Sequence, residues 1–183
     1  MVINSLQGIN IYLIGMMGTG KTTVGKLLAQ YLGYSFLDID EVIIKIAGKS
    51  IKKIFMEEGE STFRQLESKT LSEVCAYTKL TIATGGGVVM KSINWSYLHH
   101  GLIIWLDMPL ELLYKRLLND NSRPLLQGPD YQEKLQSLLK QRESLYNRAD
   151  LRIKLHQEET PEIIVSRIVD TIPSVLKNVK EKT

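Results

Sequence analysis

Gly15-Met16-Met17-Gly18-Thr19-Gly20-Lys21-Thr22 is the stretch that decides the fold. It fits the phosphate-binding pattern G-x-x-x-x-G-K-[ST] and directly follows the apolar run Ile11–Ile14. In such a strand–loop–helix, glycines let backbone N–H groups turn inward around phosphate oxygens, and the helix N-terminus faces the anion. The pattern predicts a nucleotide site in which Lys21 reaches the β- and γ-phosphates and Thr22 holds Mg²⁺.

The residues after this loop have the period of a helix. Val24, Leu27, Leu28 and Tyr31 fall at i, i+3, i+4 and i+7, and Gly33 stands where a C-terminal capping glycine is expected. This context favours a phosphate loop over the alternative, a glycine-rich turn with an incidental lysine.

Length and composition predict one domain. A chain of 183 residues with 44% hydrophobic content can bury one substantial core, at about 9–172, and no stretch within 1–183 has the composition of a linker. The net charge of +3 comes from interleaved acids and bases, which argues against nucleic acid as the main partner. The sequence has no apolar segment of bilayer length, no signal-peptide pattern and no feature that demands a dimer, so we expect a cytoplasmic monomer without membrane partners.

Apolar runs along the chain alternate with stretches of helical period. The runs that read as strands are at about 10–14, 34–38, 80–84, 102–106 and 151–155. This alternation predicts an α/β fold with a parallel sheet and helices on both faces. Ligands of such sheets bind beyond the carboxyl ends of the strands.

Two carboxylates follow the second predicted strand. Because strand side chains alternate, Asp38 and Asp40 should project on the same side. The pair suits one ligand of metal-bound water and one group that orients or deprotonates a hydroxyl. The alternative is that one of the two aspartates only caps the next helix.

Three consecutive glycines, Gly85-Gly86-Gly87, follow the third predicted strand. A plain turn rarely needs three, because each glycine costs unfolded-chain entropy. The triplet predicts a place where a ligand lies directly on the backbone N–H groups. A flexible turn is the alternative.

Two arginines are candidates for binding an anion. Arg64 and Glu67 are three apart on a predicted helix and can pair, although this spacing also fits a solvated surface pair. Arg142 falls on the apolar stripe of a predicted helix at about 130–147, so its guanidinium should face the interior. A buried guanidinium needs an internal acid or an anionic ligand, and a substrate carboxylate is a good candidate.

The segment 119–130 lies between two helical stretches and contains Arg123-Pro124-Leu125-Leu126. It predicts a mobile lid that closes and brings Arg123 over the γ-phosphate. The last helix should begin at Thr160-Pro161 and should end or kink at Pro173, which leaves a frayed tail at 177–183.

Together the motifs resemble the shikimate kinase family over about residues 9–170. The family's order is matched by the phosphate loop to Gly25, by F-x-D-x-D, by G-x-S-I-x-x-I-F-x-x-x-G-E-x-x-F-R-x-x-E, by A-T-G-G-G, by R-P-L-L and by R-x-x-L-Y (Gly15–Gly25, Phe36–Asp40, Gly48–Glu67, Ala83–Gly87, Arg123–Leu126, Arg142–Tyr146). The resemblance implies a P-loop NTPase-type three-layer sandwich with a five-stranded parallel sheet in the order 2-3-1-4-5, a lid, and a substrate-binding region at about 38–67. It also implies Mg²⁺-dependent transfer of the ATP γ-phosphoryl group to the 3-hydroxyl of shikimate, in the pathway to chorismate.

By this resemblance the site residues divide into a nucleotide set and a shikimate set. The nucleotide set is Gly18, Thr19, Gly20, Lys21, Thr22, Thr23 and Arg123. The shikimate set is Asp40, Arg64, Gly85, Gly86, Gly87 and Arg142. Thr22 and Asp38 would position one Mg²⁺, and Glu67 would orient Arg64. Lys21, Asp40 and Arg123 would act on the reacting groups, with Asp40 as the group that accepts the proton.

Two other functions stay open at this stage. One is the same phosphoryl transfer to another acceptor, such as gluconate or a nucleoside monophosphate; a set of Asp40, Arg64 and Arg142 favours a polyhydroxy acid. The other is a nucleotide-dependent switch protein. The chain lacks the N-K-x-D guanine motif, which argues against a GTPase switch.

Overall fold

The computed structural model describes residues 6–118 and 130–180, and the side chains of the last helix as far as residue 176. The strands of these ranges are Asn10–Ile14 (β1), Ser35–Asp38 (β2), Leu80–Ala83 (β3), Gly101–Asp107 (β4) and Leu151–Lys154 (β5). Each begins and ends within one residue of the position that the sequence predicts.

The strands form one parallel sheet in the order β2-β3-β1-β4-β5. The central strand β1 pairs with β3 on one side and with β4 on the other, and all five of its residues are buried. Such burial on both faces explains why the central strands are continuous apolar runs rather than alternating ones. The predicted fold class and strand order are confirmed.

Seven α-helices occur in the part of the chain that the structure describes. They are Lys21–Leu32 (α1), Ile39–Ala47 (α2), Ile51–Val74 (α3), Ser92–Leu98 (α4), Leu110–Leu117 (α5), Tyr131–Tyr146 (α6) and Pro161–Lys180 (α7). A short 3₁₀ turn at Val88–Met90 precedes α4. In these ranges, no helix combines the length and the apolarity that crossing a membrane requires.

The first helix packs as the sequence predicts, with one correction. Val24 and Leu28 are buried, but Tyr31 is 60% exposed and Leu32 completes the buried face instead. The buried stripe of Val24, Leu28 and Leu32 thus follows a spacing of four residues. Gly33 ends the helix with φ 66°, so the predicted cap is confirmed.

The last helix does not end at Pro173. It starts at Pro161 as predicted and continues to Lys180, and 181–183 lie outside the described residues, so the frayed tail stays a prediction. A proline in a helix loses one backbone hydrogen bond, and burial of apolar side chains can offset that loss. Val175 and Leu176, which lie beyond the proline, pack against the core.

A glycine bends the long helix α3. Gly59 has φ 83° and ψ 168°, which is not a helical conformation and is one that favours glycine. The bend separates a first arm at 51–58 from a second arm at 60–74, and the second arm carries Arg64 and Glu67.

Except for Asp130, the predicted lid at 119–130, including Arg123, lies outside the described residues. The single-domain organisation stays a prediction.

Candidate active site

The phosphate loop between β1 and α1 depends on three glycines with positive φ. Gly15, Gly18 and Gly20 have φ 139°, 81° and 90°. A side chain at Gly15 would collide with the Leu106 carbonyl oxygen, and one at Gly18 would collide with Leu117. The loop therefore needs glycine both for its conformation and for its close approach to β4 and α5.

Lys21 is buried in the centre of this loop. Its Nζ donates to the carbonyl oxygens of Gly15 at 2.9 Å and Met16 at 2.8 Å. The ammonium group thus lies where a polyphosphate would meet the loop, and it is held there by backbone acceptors. Thr19 is also buried, with its hydroxyl turned back to the Met16 carbonyl at 2.9 Å, so its side chain faces away from the cleft.

Thr22 and Asp38 lie together as the sequence predicts. Thr22 Oγ1 donates to Asp38 Oδ2 at 2.7 Å, and the other carboxylate oxygen accepts from the backbone N–H of Asp40 at 2.9 Å. Asp38 is therefore both the partner of Thr22 and the N-cap of α2. The cap that the sequence offered as an alternative is therefore present, and the role of Asp38 as a ligand of metal-bound water stays a prediction.

Asp40 does not project from a strand, so the stated reason for placing it beside Asp38 is wrong. Strand β2 ends at Asp38, and Asp40 lies in the first turn of α2. The Asp38 cap turns the chain into the helix immediately, and the helical turn still brings the Asp40 carboxylate to the same cleft. Both acids therefore line this cleft, but Asp40 does so from a helix and not from a strand.

The cleft has a volume of about 640 Å³ at the carboxyl ends of β1, β2 and β3. Its wall includes residues from both predicted sets. These are Gly18, Gly20, Lys21, Thr22, Thr23, Asp38, Asp40, Gly85 and Gly86. Arg64, Gly87 and Arg142 are not part of this wall but lie behind it, as the contacts of the glycine triplet reveal.

The Arg64–Glu67 pair is buried, so its interpretation as a solvated surface pair is wrong. Arg64 Nη1 lies 2.9 Å from Glu67 Oε2, and Glu67 is 0% exposed. Arg64 also binds Glu60 at 3.0 Å through Nη2. Burial raises the pKa of the Glu67 carboxyl, and the Arg64 guanidinium opposes that shift.

The glycine triplet makes room for these charged side chains. None of Gly85, Gly86 and Gly87 has a positive φ, so their conformation alone does not require glycine. A side chain at Gly85 would collide with Glu67, and one at Gly87 would collide with the Arg64 guanidinium. The absence of Cβ atoms lets charged groups lie against the backbone, which is a more specific role than a flexible turn.

Arg142 is buried as the helical period predicts. It is 2% exposed, and its Nη1 would lie 3.5 Å from a Cβ at Gly86. Among the described residues, neither Nε nor Nη1 of Arg142 has a hydrogen-bond partner. A buried cation with open donors is unfavourable unless an anion joins it. The buried Glu67 carboxyl interacts electrostatically with Arg142, so an internal acid is close by, while an anionic ligand for the two open donors stays a prediction.

Sequence reasoning missed Arg116 and Tyr146. Arg116 Nη1 lies 3.5 Å from the Gly18 carbonyl oxygen, 98 residues away in the chain, and no local pattern links the two. Tyr146 is fully buried and donates to the Gly86 carbonyl at 2.5 Å. The sequence does contain a pattern that could have identified Tyr146. This residue lies one helical turn after Arg142 on the same face, and a buried tyrosine hydroxyl needs a partner.

A switch protein needs a phosphate loop and a metal site but has no use for buried cations with open donors beside them. Here a phosphate loop and one such cation, Arg142, lie near the same end of a five-stranded parallel sheet. This combination defines a P-loop kinase that phosphorylates a small anionic acceptor.

The family model for shikimate kinase matches residues 17–173, and the chain belongs to that family. A shikimate kinase of Nostoc punctiforme is 63% identical over 172 residues, which cover 94% of this chain and 95% of the relative. The solved structure of a shikimate kinase from Acinetobacter baumannii in complex with shikimate has a TM-score of 0.90 and 39% identity, and the match covers 95% of this chain and 98% of that one.

A gluconokinase from Sinorhizobium meliloti shares the fold but not the sequence. Its TM-score is 0.56 with 14% identity, and the match covers 96% of this chain and 98% of that one. This likeness extends to the fold alone.

Proposed function

We propose that this chain transfers the γ-phosphoryl group of ATP to the 3-hydroxyl of shikimate, which gives shikimate 3-phosphate and ADP on the way to chorismate. One observation supports this acceptor above all. The Arg142 guanidinium is buried beside Gly86, which lines the cleft, and two of its nitrogens have no hydrogen-bond partner among the described residues. A ring carboxylate would satisfy this guanidinium and Arg64, because planar guanidinium groups bind carboxylates through paired hydrogen bonds.

The donor half of the reaction lies on the phosphate loop. Backbone N–H groups at Gly18, Thr19 and Gly20 would bind phosphate oxygens, and Thr22 and Thr23 would extend this cradle into α1. Lys21 would exchange its two carbonyl acceptors for β- and γ-phosphate oxygens.

One Mg²⁺ fits the Thr22–Asp38 pair. The two side chains place a hydroxyl and a carboxylate oxygen 2.7 Å apart at the wall of the cleft. Mg²⁺ prefers oxygen ligands and usually keeps several waters besides one or two protein groups and substrate phosphates. When bound, the ion would neutralise charge that develops between the β- and γ-phosphates.

The acceptor half lies between α2, α3, α6 and the glycine triplet. Asp40 would accept the proton of the shikimate 3-hydroxyl while the hydroxyl oxygen forms a bond to the γ-phosphorus. At the same time the bond from that phosphorus to the β–γ bridging oxygen breaks and ADP is released. Arg64 and Arg142 would hold the carboxylate, and Gly85, Gly86 and Gly87 would offer backbone contacts to the ring. Glu67 would keep Arg64 in place through the bond at 2.9 Å.

Two further arginines are proposed to contact the nucleotide. Arg123, which lies outside the described residues, would stabilise the charge of the transferring phosphoryl group, as the family resemblance implies. Arg116 would meet the nucleotide from α5, because its guanidinium lies beside Gly18 and Gly20 of the phosphate loop.

The direct test mixes purified protein with ATP, Mg²⁺ and shikimate and follows ADP and shikimate 3-phosphate. We expect ADP to form in proportion to shikimate 3-phosphate and only slowly without shikimate. Gluconate and a nucleoside monophosphate in the same panel test other acceptors. Nucleotide hydrolysis that ignores shikimate, together with nucleotide-dependent binding of a protein, would favour the switch instead.

Asp38→Asn should raise the Mg²⁺ concentration needed for half-maximal activity by on the order of 10- to 100-fold, because a group that orients metal-bound water loses its charge. The amide oxygen can still accept from the Asp40 N–H, so the cap of α2 should survive. Initial rates across a Mg²⁺ titration measure the effect.

Asp150→Asn is the matched control for that titration. Asp150 also accepts a backbone N–H, from Ile103 at 2.8 Å, but it lies at the amino end of β5, away from the cleft. Its Mg²⁺ dependence should equal that of the unaltered protein. An unchanged Mg²⁺ requirement in Asp38→Asn would show that Asp38 serves only as a cap. The monomeric state and the cytoplasmic location stay predictions of the sequence.

A further inference from the structure

Tyr146 contacts the glycine triplet, the phosphate loop and strand β4. From the last residue of α6, its hydroxyl donates to the Gly86 carbonyl at 2.5 Å and lies 3.6 Å from the Met16 sulfur in the phosphate loop. Its ring stacks on Trp105 of β4 with the centroids 5.7 Å apart. The side chain is fully buried, so this geometry is set by packing on all sides.

The hydroxyl is a donor at physiological pH. Burial raises the pKa of Tyr146 to about 12, and the nearby Arg142 guanidinium opposes the shift without cancelling it. A protonated phenol has one O–H to donate, and the Gly86 carbonyl receives it.

This bond fixes the direction of one peptide group in the glycine triplet. The Gly86–Gly87 peptide is planar and trans, so its N–H points away from the carbonyl that Tyr146 holds. The bond thus ties the middle glycine of the triplet to the rigid end of α6. Without it, a segment of three glycines has wide conformational freedom.

The same side chain is linked to Arg142. The two residues are one helical turn apart on the buried face of α6, and Arg142 Nη1 would lie 3.5 Å from a Cβ at Gly86. Fixing Gly86 against α6 therefore also fixes the space in which the open guanidinium meets its anion.

We propose that Tyr146 is a positioning residue of the acceptor site, whose hydroxyl holds the Gly86 carbonyl and thereby sets the Gly87 N–H and the Arg142 guanidinium relative to the phosphate loop. This inference rests on the proposed function, because the acceptor that benefits is shikimate. It assigns Tyr146 no contact with substrate.

Tyr146→Phe tests the inference, because it keeps the stacking on Trp105 and removes only the hydroxyl. We expect the KM and the calorimetric Kd for shikimate to rise about 5- to 20-fold, since a buried carbonyl loses its donor and the triplet gains freedom. The KM for ATP should change less than about twofold, because the loop contacts of Lys21 are unaltered.

A control variant separates positioning from general stability. Tyr12→Phe also removes a fully buried tyrosine hydroxyl, but from the central strand β1 rather than from α6. It should keep the shikimate KM of the unaltered protein, even if thermal melting shows a small change in stability.

The result that overturns the inference is a Tyr146→Phe enzyme with unaltered shikimate KM and Kd, or one in which the constants for shikimate and ATP rise together. Either would reduce Tyr146 to a packing role. These outcomes differ from failure of the proposed function, in which the unaltered protein itself neither binds shikimate nor forms ADP in response to it.

Discussion

Arg142→Ala should weaken shikimate binding by on the order of 2–5 kcal/mol and leave ATP binding close to that of the unaltered protein. The size of the effect follows from burial: Arg142 is 2% exposed, and a charge pair formed there is shielded from water. In the Arg142→Ala variant the substrate carboxylate would enter the same space with Arg64 alone to meet it, and Arg64 already binds Glu60 and Glu67.

Calorimetric titration with shikimate and separately with ATP measures this difference directly. Arg142→Lys keeps the charge but loses the planar pair of donors. Its affinity for shikimate should therefore lie between that of the unaltered protein and that of Arg142→Ala. Arg152→Ala is the matched control, because Arg152 is a surface arginine that pairs with Asp107 at 2.8 Å. Equal losses for both ligands in Arg142→Ala would mean that the residue is structural.

Arg142→Ala should also have a limited effect on the folding stability of the protein without ligand. The unliganded enzyme carries two Arg142 nitrogens without a hydrogen-bond partner among the described residues, which is unfavourable for folding. Arg142→Ala should therefore not destabilise the unliganded fold as strongly as loss of a satisfied buried group does. Binding and stability would then separate, as is typical of a residue retained for its ligand.

The sequence predicted the fold well because its signals are local and agree with one another. The strands that carry the site are short apolar runs. The phosphate loop marks the end of β1, and the C-cap glycine marks the end of α1. At Pro173, where the sequence predicted an end or a kink, a local rule about proline could not decide whether the helix continues, because that depends on packing. Val175 and Leu176 pack on the core and continue the helix.

The site was predicted only in part, and the physical reason is distance along the chain. Burial of Arg142 could be read from its helical position, since a stripe has a fixed period. The contact between Arg116 and Gly18 could not, because nothing local connects a surface arginine to a loop 98 residues away. Asp40 was placed in the right cleft for a wrong reason, because the cap at Asp38 ends β2 before the strand alternation that the prediction assumed could reach Asp40.

Lys21→Met should lower kcat/KM for the phosphoryl transfer by on the order of 10²- to 10³-fold, the usual cost of removing one preorganised charge from a transition state. Its ammonium group is buried in the phosphate loop, 2.9 Å and 2.8 Å from two carbonyl oxygens that a phosphate can replace. Methionine fills similar space without charge, so the loop should keep its shape while the β- and γ-phosphates lose their closest cation.

Lys26→Met is the matched control, because Lys26 lies on the same helix but is exposed and only approaches the Phe36 ring, at 5.6 Å from the centroid. It should retain the activity of the unaltered protein. Steady-state rates for both variants, with thermal melting to confirm folding, measure the difference.

Lys21 and Arg142 together allow a stricter test than either alone. Shikimate binding measured without nucleotide should be normal in Lys21→Met and poor in Arg142→Ala, whereas ATP binding should be normal in Arg142→Ala. A Lys21→Met enzyme with weakened shikimate binding in the absence of ATP would contradict the division into donor and acceptor halves. It would mean that the phosphate loop, through contacts such as that between Met16 and Tyr146, shapes the acceptor site even when no phosphate is bound.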